Sequence, residues 1–111
     1  MFIGEPNAQA WKYLMDNPQD RKEEVSAAME KIGGKIIKYY FGLGDGKNYI
    51  IAKLPNDNEL IQAVYLMRLQ SGLLASYKII ELMPSNQMSN ALKKSKELIE
   101  VEKKVSGGVD K

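Results

Sequence analysis

A chain of 111 residues, 44% hydrophobic and 27% charged, has room for one domain with a core of its own. Its formal charge is only +2, from 16 basic and 14 acidic residues mixed along the chain, which speaks against a phosphate-backbone binder needing a basic face. The sequence holds neither cysteine nor histidine, so disulfides, thiol nucleophiles, serine-histidine triads, the usual zinc sites and histidine-ligated haem are excluded. An enzyme built on this chain would work with Asp, Glu, Lys, Tyr or Arg, or with a borrowed cofactor.

Residues 1–4 (MFIG) read as a short strand stopped by Pro6, and Asn7 to Met15 as a short helix with Trp11, Leu14 and Met15 on one side. Asn17-Pro18 predicts a second helix start, with Asn17 as N-cap, Pro18 at the first position and Asp20 facing the dipole. Val25, Ala28, Met29 and Ile32 then recur at helical spacing until Gly33-Gly34 ends the helix. Two β-rich runs, KIIKYYFGL and NYIIAKL, flank Gly44-Asp45-Gly46 and predict a hairpin. With Asp45-Gly46 as a two-residue turn, Gly44 faces Lys47 and Lys38 faces Lys53. One face then carries Ile37, Tyr39, Phe41, Leu43, Ile50, Ala52 and Leu54. The other carries Ile36, Lys38, Tyr40, Gly42, Tyr49, Ile51 and Lys53.

Pro55 closes that strand, and Asn56 with Glu59 makes a capping box for a largely apolar helix over residues 57–71, ended by Gly72. LASYKIIEL, from Leu74 to Leu82, is the last strand, terminated by Pro84. Residues 86–103 form a charged amphipathic helix with Met88, Ala91, Leu92 and Leu98 or Ile99 inward. The expected organisation is a domain over 1–84, a C-terminal helix over 85–103 that packs on the domain or on a neighbouring subunit, and a disordered tail over 104–111. No apolar run approaches the roughly 18 residues of a membrane span. The start MFIGEPNAQA lacks the basic and apolar segments of a signal peptide, so the reading is cytoplasmic, with no membrane or nucleic-acid partner.

Strand, helix, hairpin, helix, strand is the βαββαβ order of an α+β ferredoxin-like fold with an antiparallel sheet and, here, an extra C-terminal helix. Both crossover helices cover one sheet face. At about 25 cal/mol per Å² of apolar surface, leaving Ile36, Tyr40, Tyr49 and Ile51 wet forfeits a few kcal/mol. A second copy stacking face to face recovers it, so the expected partner is the chain itself, as a homodimer or ring of dimers.

The Ile-Gly-Gly-Lys helix ending (32–35), the aromatic strand after it, the glycine-aspartate turn and the acidic helix start after proline resemble the GYD domain over about Asn7 to Pro84. The resemblance implies a ferredoxin-like domain assembling as a dimeric α/β barrel, and it implies no established activity. The turn departs from the family pattern. It reads Gly44-Asp45-Gly46-Lys47, without a tyrosine after the glycine, and Tyr49 comes three residues on.

In such a barrel Lys38, Tyr40, Tyr49 and Lys53 point between the two sheets, the lysines toward an anionic group and the tyrosines as flat walls with a polar tip. An equally structural reading has the lysines reaching the rim and the tyrosines packing as interface core. Ile36, Tyr40 and Ile51 are the interface candidates. On the last strand either Glu81 with Tyr77 or Lys78 with Ser76 faces the cavity, and a Glu81 among apolar groups would gain a raised pKa and the capacity to act as a base. Gly42, Gly44 and Gly46 open no helix and read as a turn, not a phosphate loop. The residues favour a non-catalytic homo-oligomeric module that binds a small metabolite or a partner protein in the barrel or at subunit seams, with no metal and no cofactor. The alternative, by fold analogy alone, is a cofactor-independent monooxygenase-like enzyme acting on a small organic substrate.

Overall fold

A computed structural model of the chain describes residues 1–106. It divides into two compact units, Met1–Glu81 and the segment from Leu82 onward. The first unit contains, in order, β1 (Phe2–Pro6), α1 (Ala8–Asp16), α2 (Lys22–Lys31), β2 (Lys35–Phe41), β3 (Asn48–Lys53), α3 (Asn58–Leu69) and β4 (Leu74–Ile79). The strands form one four-stranded sheet in the order β2-β3-β1-β4, and every adjacent pair is antiparallel. This is an α+β unit compatible with the ferredoxin-like order expected from the sequence. In the second unit a 3₁₀ turn (Ser85–Gln87) leads into α4 (Met88–Ser106). Residues 104–106, expected in a tail, are helical; the rest of that tail, 107–111, lies outside the described residues.

The first crossover is split into two helices by local hydrogen bonding. Asn17, expected to start a helix, instead ends one: its backbone N–H and its side-chain amide each donate to the Tyr13 carbonyl at 3.0 Å. Pro18 has no N–H to continue α1. The next helix waits until Lys22, whose N–H is taken by Asp20 at 2.9 Å, and Glu23 and Glu24 stand in its first turn. The far end of α2 follows expectation. Gly33 adopts φ +80°, and the N–H groups of Gly33 and Gly34 close on Glu30 and Met29, both at 2.9 Å.

Other boundaries move by one or two residues. β1 runs through Pro6, which sits at a register shift against Leu74, a place where a missing N–H is tolerated. Asn7 locks that corner: its Oδ1 caps α1 by accepting from Ala10 at 3.0 Å, and its amide donates to the Gly72 carbonyl at 2.6 Å. The cap of α3 is Asp57, not Asn56. The Asp57 N–H turns back on the Pro55 carbonyl at 2.9 Å, which leaves Asn56 inside the turn, and the Asp57 carboxylate accepts from Leu60 at 3.1 Å.

The hairpin register differs from the expected one. Gly42 N–H donates to the Lys47 carbonyl at 3.0 Å, so four residues, Leu43 to Gly46, make the connection in place of two. Gly44 and Gly46 take φ +81° and +69°, the left-handed conformations that glycine adopts without strain. The Asp45 carboxylate folds back to accept from the Lys47 N–H at 2.9 Å and from the Tyr49 hydroxyl. Pairing is Tyr40↔Tyr49, Tyr39↔Ile50 and Lys38↔Ile51 up to a bulge at Ile37, then Ile36↔Ala52 and Lys35↔Lys53. Leu43, expected on the core face, lies in the turn and is fully exposed.

Candidate functional site

Directly opposed residues of an antiparallel ladder share a face, and neighbours along a strand alternate. Phe2, Gly4, Tyr39, Phe41, Asn48, Ile50 and Tyr77 fall on one face, beneath the three helices. Ile3, Glu5, Lys38, Tyr40, Tyr49, Ile51, Ser76 and Lys78 fall on the other, which α1, α2 and α3 leave uncovered.

Five sequence-selected residues, Lys38, Tyr40, Tyr49, Ile51 and Lys53, do share the open face. Ile36 does not. The bulge at Ile37 inserts one residue and reverses the alternation, so Ile36 pairs with Ala52 on the helix side. Lys38 faces Ile51, and Lys53 faces Lys35 at the exposed end of the hairpin, so the expected Lys38–Lys53 opposition is absent. The Tyr49 hydroxyl is committed to Asp45. That bond holds the Asp45 carboxyl below its ordinary pKa and the Tyr49 phenol above its own. Of the two options on β4, Lys78 with Ser76 occupies the open face, where the Ser76 hydroxyl donates to Glu5 at 3.2 Å. Glu81 lies beyond the end of β4 and is exposed, so it joins none of the other candidates.

The other side of the sheet holds what sequence reading missed. Among hydrophobic residues only Phe2 and Met29 are buried in the described chain. Where a filled core would lie, a cavity of about 490 Å³ opens between the sheet and the three helices, within the 300–1,000 Å³ range of ligand pockets. Its floor is Phe2, Gly4, Phe41, Asn48 and Ile50; its helix walls include Ala10, Leu14, Val25, Ala28, Met29, Val64 and Met67. Phe41 and Met67 stay 50% and 51% exposed, so this apolar surface is not spent on internal packing.

The polar groups of the wall are few. They include Tyr39, Tyr77, Arg21 and Arg68, with no Asp, Glu or Lys among the lining residues. Burial raises the Tyr77 phenol to about 12, against the opposite pull of Arg68 beside it. Burial also raises Tyr39, with Arg21 and Arg68 pulling down and Asp20 pushing up. Both phenols therefore stay protonated, and each keeps an O–H free to donate, while the Tyr77 oxygen accepts from Arg68. Tyr65 stacks on Tyr77 at 6.0 Å between ring centroids and Phe2 sits 6.2 Å away on its other neighbour contact, which fixes the ring. Arg21 is held by Glu24 at 3.0 Å.

Asn48 and Gly4 meet at the floor, where Asn48 Oδ1 accepts from the Gly4 N–H at 3.2 Å. A Cβ on Gly4 would stand 2.9 Å from that oxygen. The sequence signal for this site was Arg68 itself. Val64, Met67, Arg68 and Ser71 recur at i, i+3, i+4 and i+7, so an arginine interrupts the apolar stripe of α3 that faces the sheet.

A phenol whose pKa is higher in the folded state stabilises the fold below its unfolded value near 10, and that contribution is lost as pH rises from there through about 12. Urea unfolding at rising alkaline pH is therefore expected to show a steeper stability loss for the wild type than for Tyr77→Phe. Parallel curves for the two proteins would contradict the burial of Tyr77.

No described helix is long and apolar enough to cross a membrane, and no metal-binding cluster of His, Cys, Asp or Glu occurs among the described residues. Neither a curated protein nor a solved structure matches the chain. The family model of the GYD domain does, over residues 1–92. With that match spanning most of the chain, and a four-stranded antiparallel α+β unit beneath it, the protein belongs to the GYD domain family.

Proposed function

We propose that this protein is a small self-associating module that binds a small molecule between its helices and its sheet. The observation that carries the reading is the cavity of about 490 Å³, apolar over most of its wall, where a domain of this size would otherwise pack its core. Binding is favoured over turnover by the residues present. A proton-moving catalyst needs a group that titrates near working pH, and this wall offers three phenols, two of them raised by burial, and two guanidiniums. That chemistry lends the monooxygenase-like alternative no support at this cavity.

Self-association belongs to the open face. Ile3 and Ile51, on the two central strands, together with Tyr40 and Tyr49, make an apolar centre. Lys38 and Lys78 stand on the two edge strands, and Lys35 and Lys53 at the hairpin end. An apolar middle with a charged margin is the usual anatomy of a protein interface.

Titration calorimetry with the neutral probe 2-naphthalenemethanol tests the cavity. Saturable one-site binding is expected, weakened about tenfold or more by Ala28→Phe, which fills the space from α2 without a polar change. Absence of saturable binding, or equal affinity in the filled variant, would overturn the reading.

A further inference from the structure

We propose that the cavity selects an organic anion, an apolar body carrying one carboxylate, anchored by the Arg68 guanidinium with the Tyr77 hydroxyl as a second donor. This rests on the reading of the cavity as a ligand site and adds the chemical class of the ligand.

Charge in the wall has one sign. Arg21 and Arg68 both line the cavity, and no lining residue is acidic. The two arginines are not equivalent. Arg21 is paired with Glu24 at 3.0 Å and has Asp20 as its chain neighbour. Arg68 has no carboxylate partner among the described residues. It projects from the last turn of α3, beside the Tyr77 phenol and close enough to Tyr39 to influence its titration.

A guanidinium presents a planar fork of donors that matches a carboxylate in two parallel hydrogen bonds. Two protonated phenols beside it add donors and no competing acceptor charge. The neighbouring polar side chain of the wall, Ser71, donates its hydroxyl to the Arg68 carbonyl at 2.8 Å and so steadies the end of the helix that carries the guanidinium. Arg68 is exposed while Phe2 and Met29 are buried, which sets the polar anchor toward solvent and the apolar floor inward. The arrangement suits a ligand that enters body first and leaves its carboxylate at the arginine.

The test compares 2-naphthoate with 2-naphthalenemethanol, which share a ring system and differ in charge, by calorimetry on the full chain and on Arg68→Met and Arg68→Lys. In the wild type the carboxylate is expected to bind about tenfold tighter than the alcohol. Arg68→Met should abolish that preference while the alcohol still binds saturably, which reports an intact cavity. Arg68→Lys should keep part of the preference, because the charge remains and the fork is lost. Equal binding of both probes to the wild type, or a preference that survives Arg68→Met, overturns the anion assignment and leaves the cavity standing. Failure of both probes overturns the cavity reading with it.

Discussion

Wild type is expected to run as an assembly of at least two chains, and Ile51→Asp as a folded monomer with the 12.5 kDa mass of one chain. Ile51 lies on β3, an inner strand, opposite Lys38 and beside the Tyr40↔Tyr49 pair. In the proposed face-to-face pairing it sits in the apolar centre, and two-fold symmetry brings two aspartates into the same dry interface. Desolvating a carboxylate costs several kcal/mol even after relaxation, comparable to the whole gain from covering this small apolar patch. Within one chain the side chain is only half-buried, so the fold survives and circular dichroism should be unchanged. Lys78→Gln, at the edge strand, should leave the mass as it was. Light scattering at micromolar protein decides the matter: a monomeric wild type, or an Ile51→Asp protein that keeps its mass, would remove the open face as an interface.

The second large effect is on stability. Gly34→Val should destabilise the fold by about 1–3 kcal/mol or more, the usual range for forcing extra methyl groups into a packed site. Gly34 is buried at the junction of α2 and β2. A Cβ there would stand 2.9 Å from Met29 Cγ, 3.0 Å from Leu54 Cδ2 and 3.0 Å from the Lys53 carbonyl oxygen. The two side chains can yield a little. The carbonyl cannot, because it belongs to the backbone of β3. Met29 is one of only two buried hydrophobic side chains in the described residues, so displacing it loosens a large part of what core there is. With each kcal/mol worth about 4 °C or more in a domain of this size, thermal unfolding should fall by several degrees. A variant that melts with the wild type would show the junction to be looser than its contacts imply.

The two expectations act on different sheet faces and should be separable. Ile51→Asp alters association with little change in the unfolding of the single chain. Gly34→Val weakens the chain itself and, through Met29, the wall of the cavity. Substitutions on opposite faces of the sheet should add nearly independently, so the double variant should be a monomer with the melting deficit of Gly34→Val.

Element order, strand by strand, was legible in the residues themselves. Apolar alternation, the Gly33 and Gly72 helix ends and the glycine turn at 44–46 are local devices, governed by backbone conformations that a residue type allows or forbids. So was the existence of an open face, since two crossover helices cover only one side of a sheet. Tertiary structure alone decided the register. A four-residue turn replaced the two-residue one and parted Lys38 from Lys53, and the bulge at Ile37 sent Ile36 to the helix side. Such a shift costs little locally yet reverses every alternation beyond it, and so cannot be read from periodicity. Competition between hydrogen-bond partners decided Asn17, which closed α1 instead of opening α2. The cavity was the deepest of these decisions. Residues from three helices and all four strands line it, and the meeting of Arg68 with Tyr77 depends on how far the helices stand from the sheet. That distance is a property of the packed chain, which no segment carries by itself.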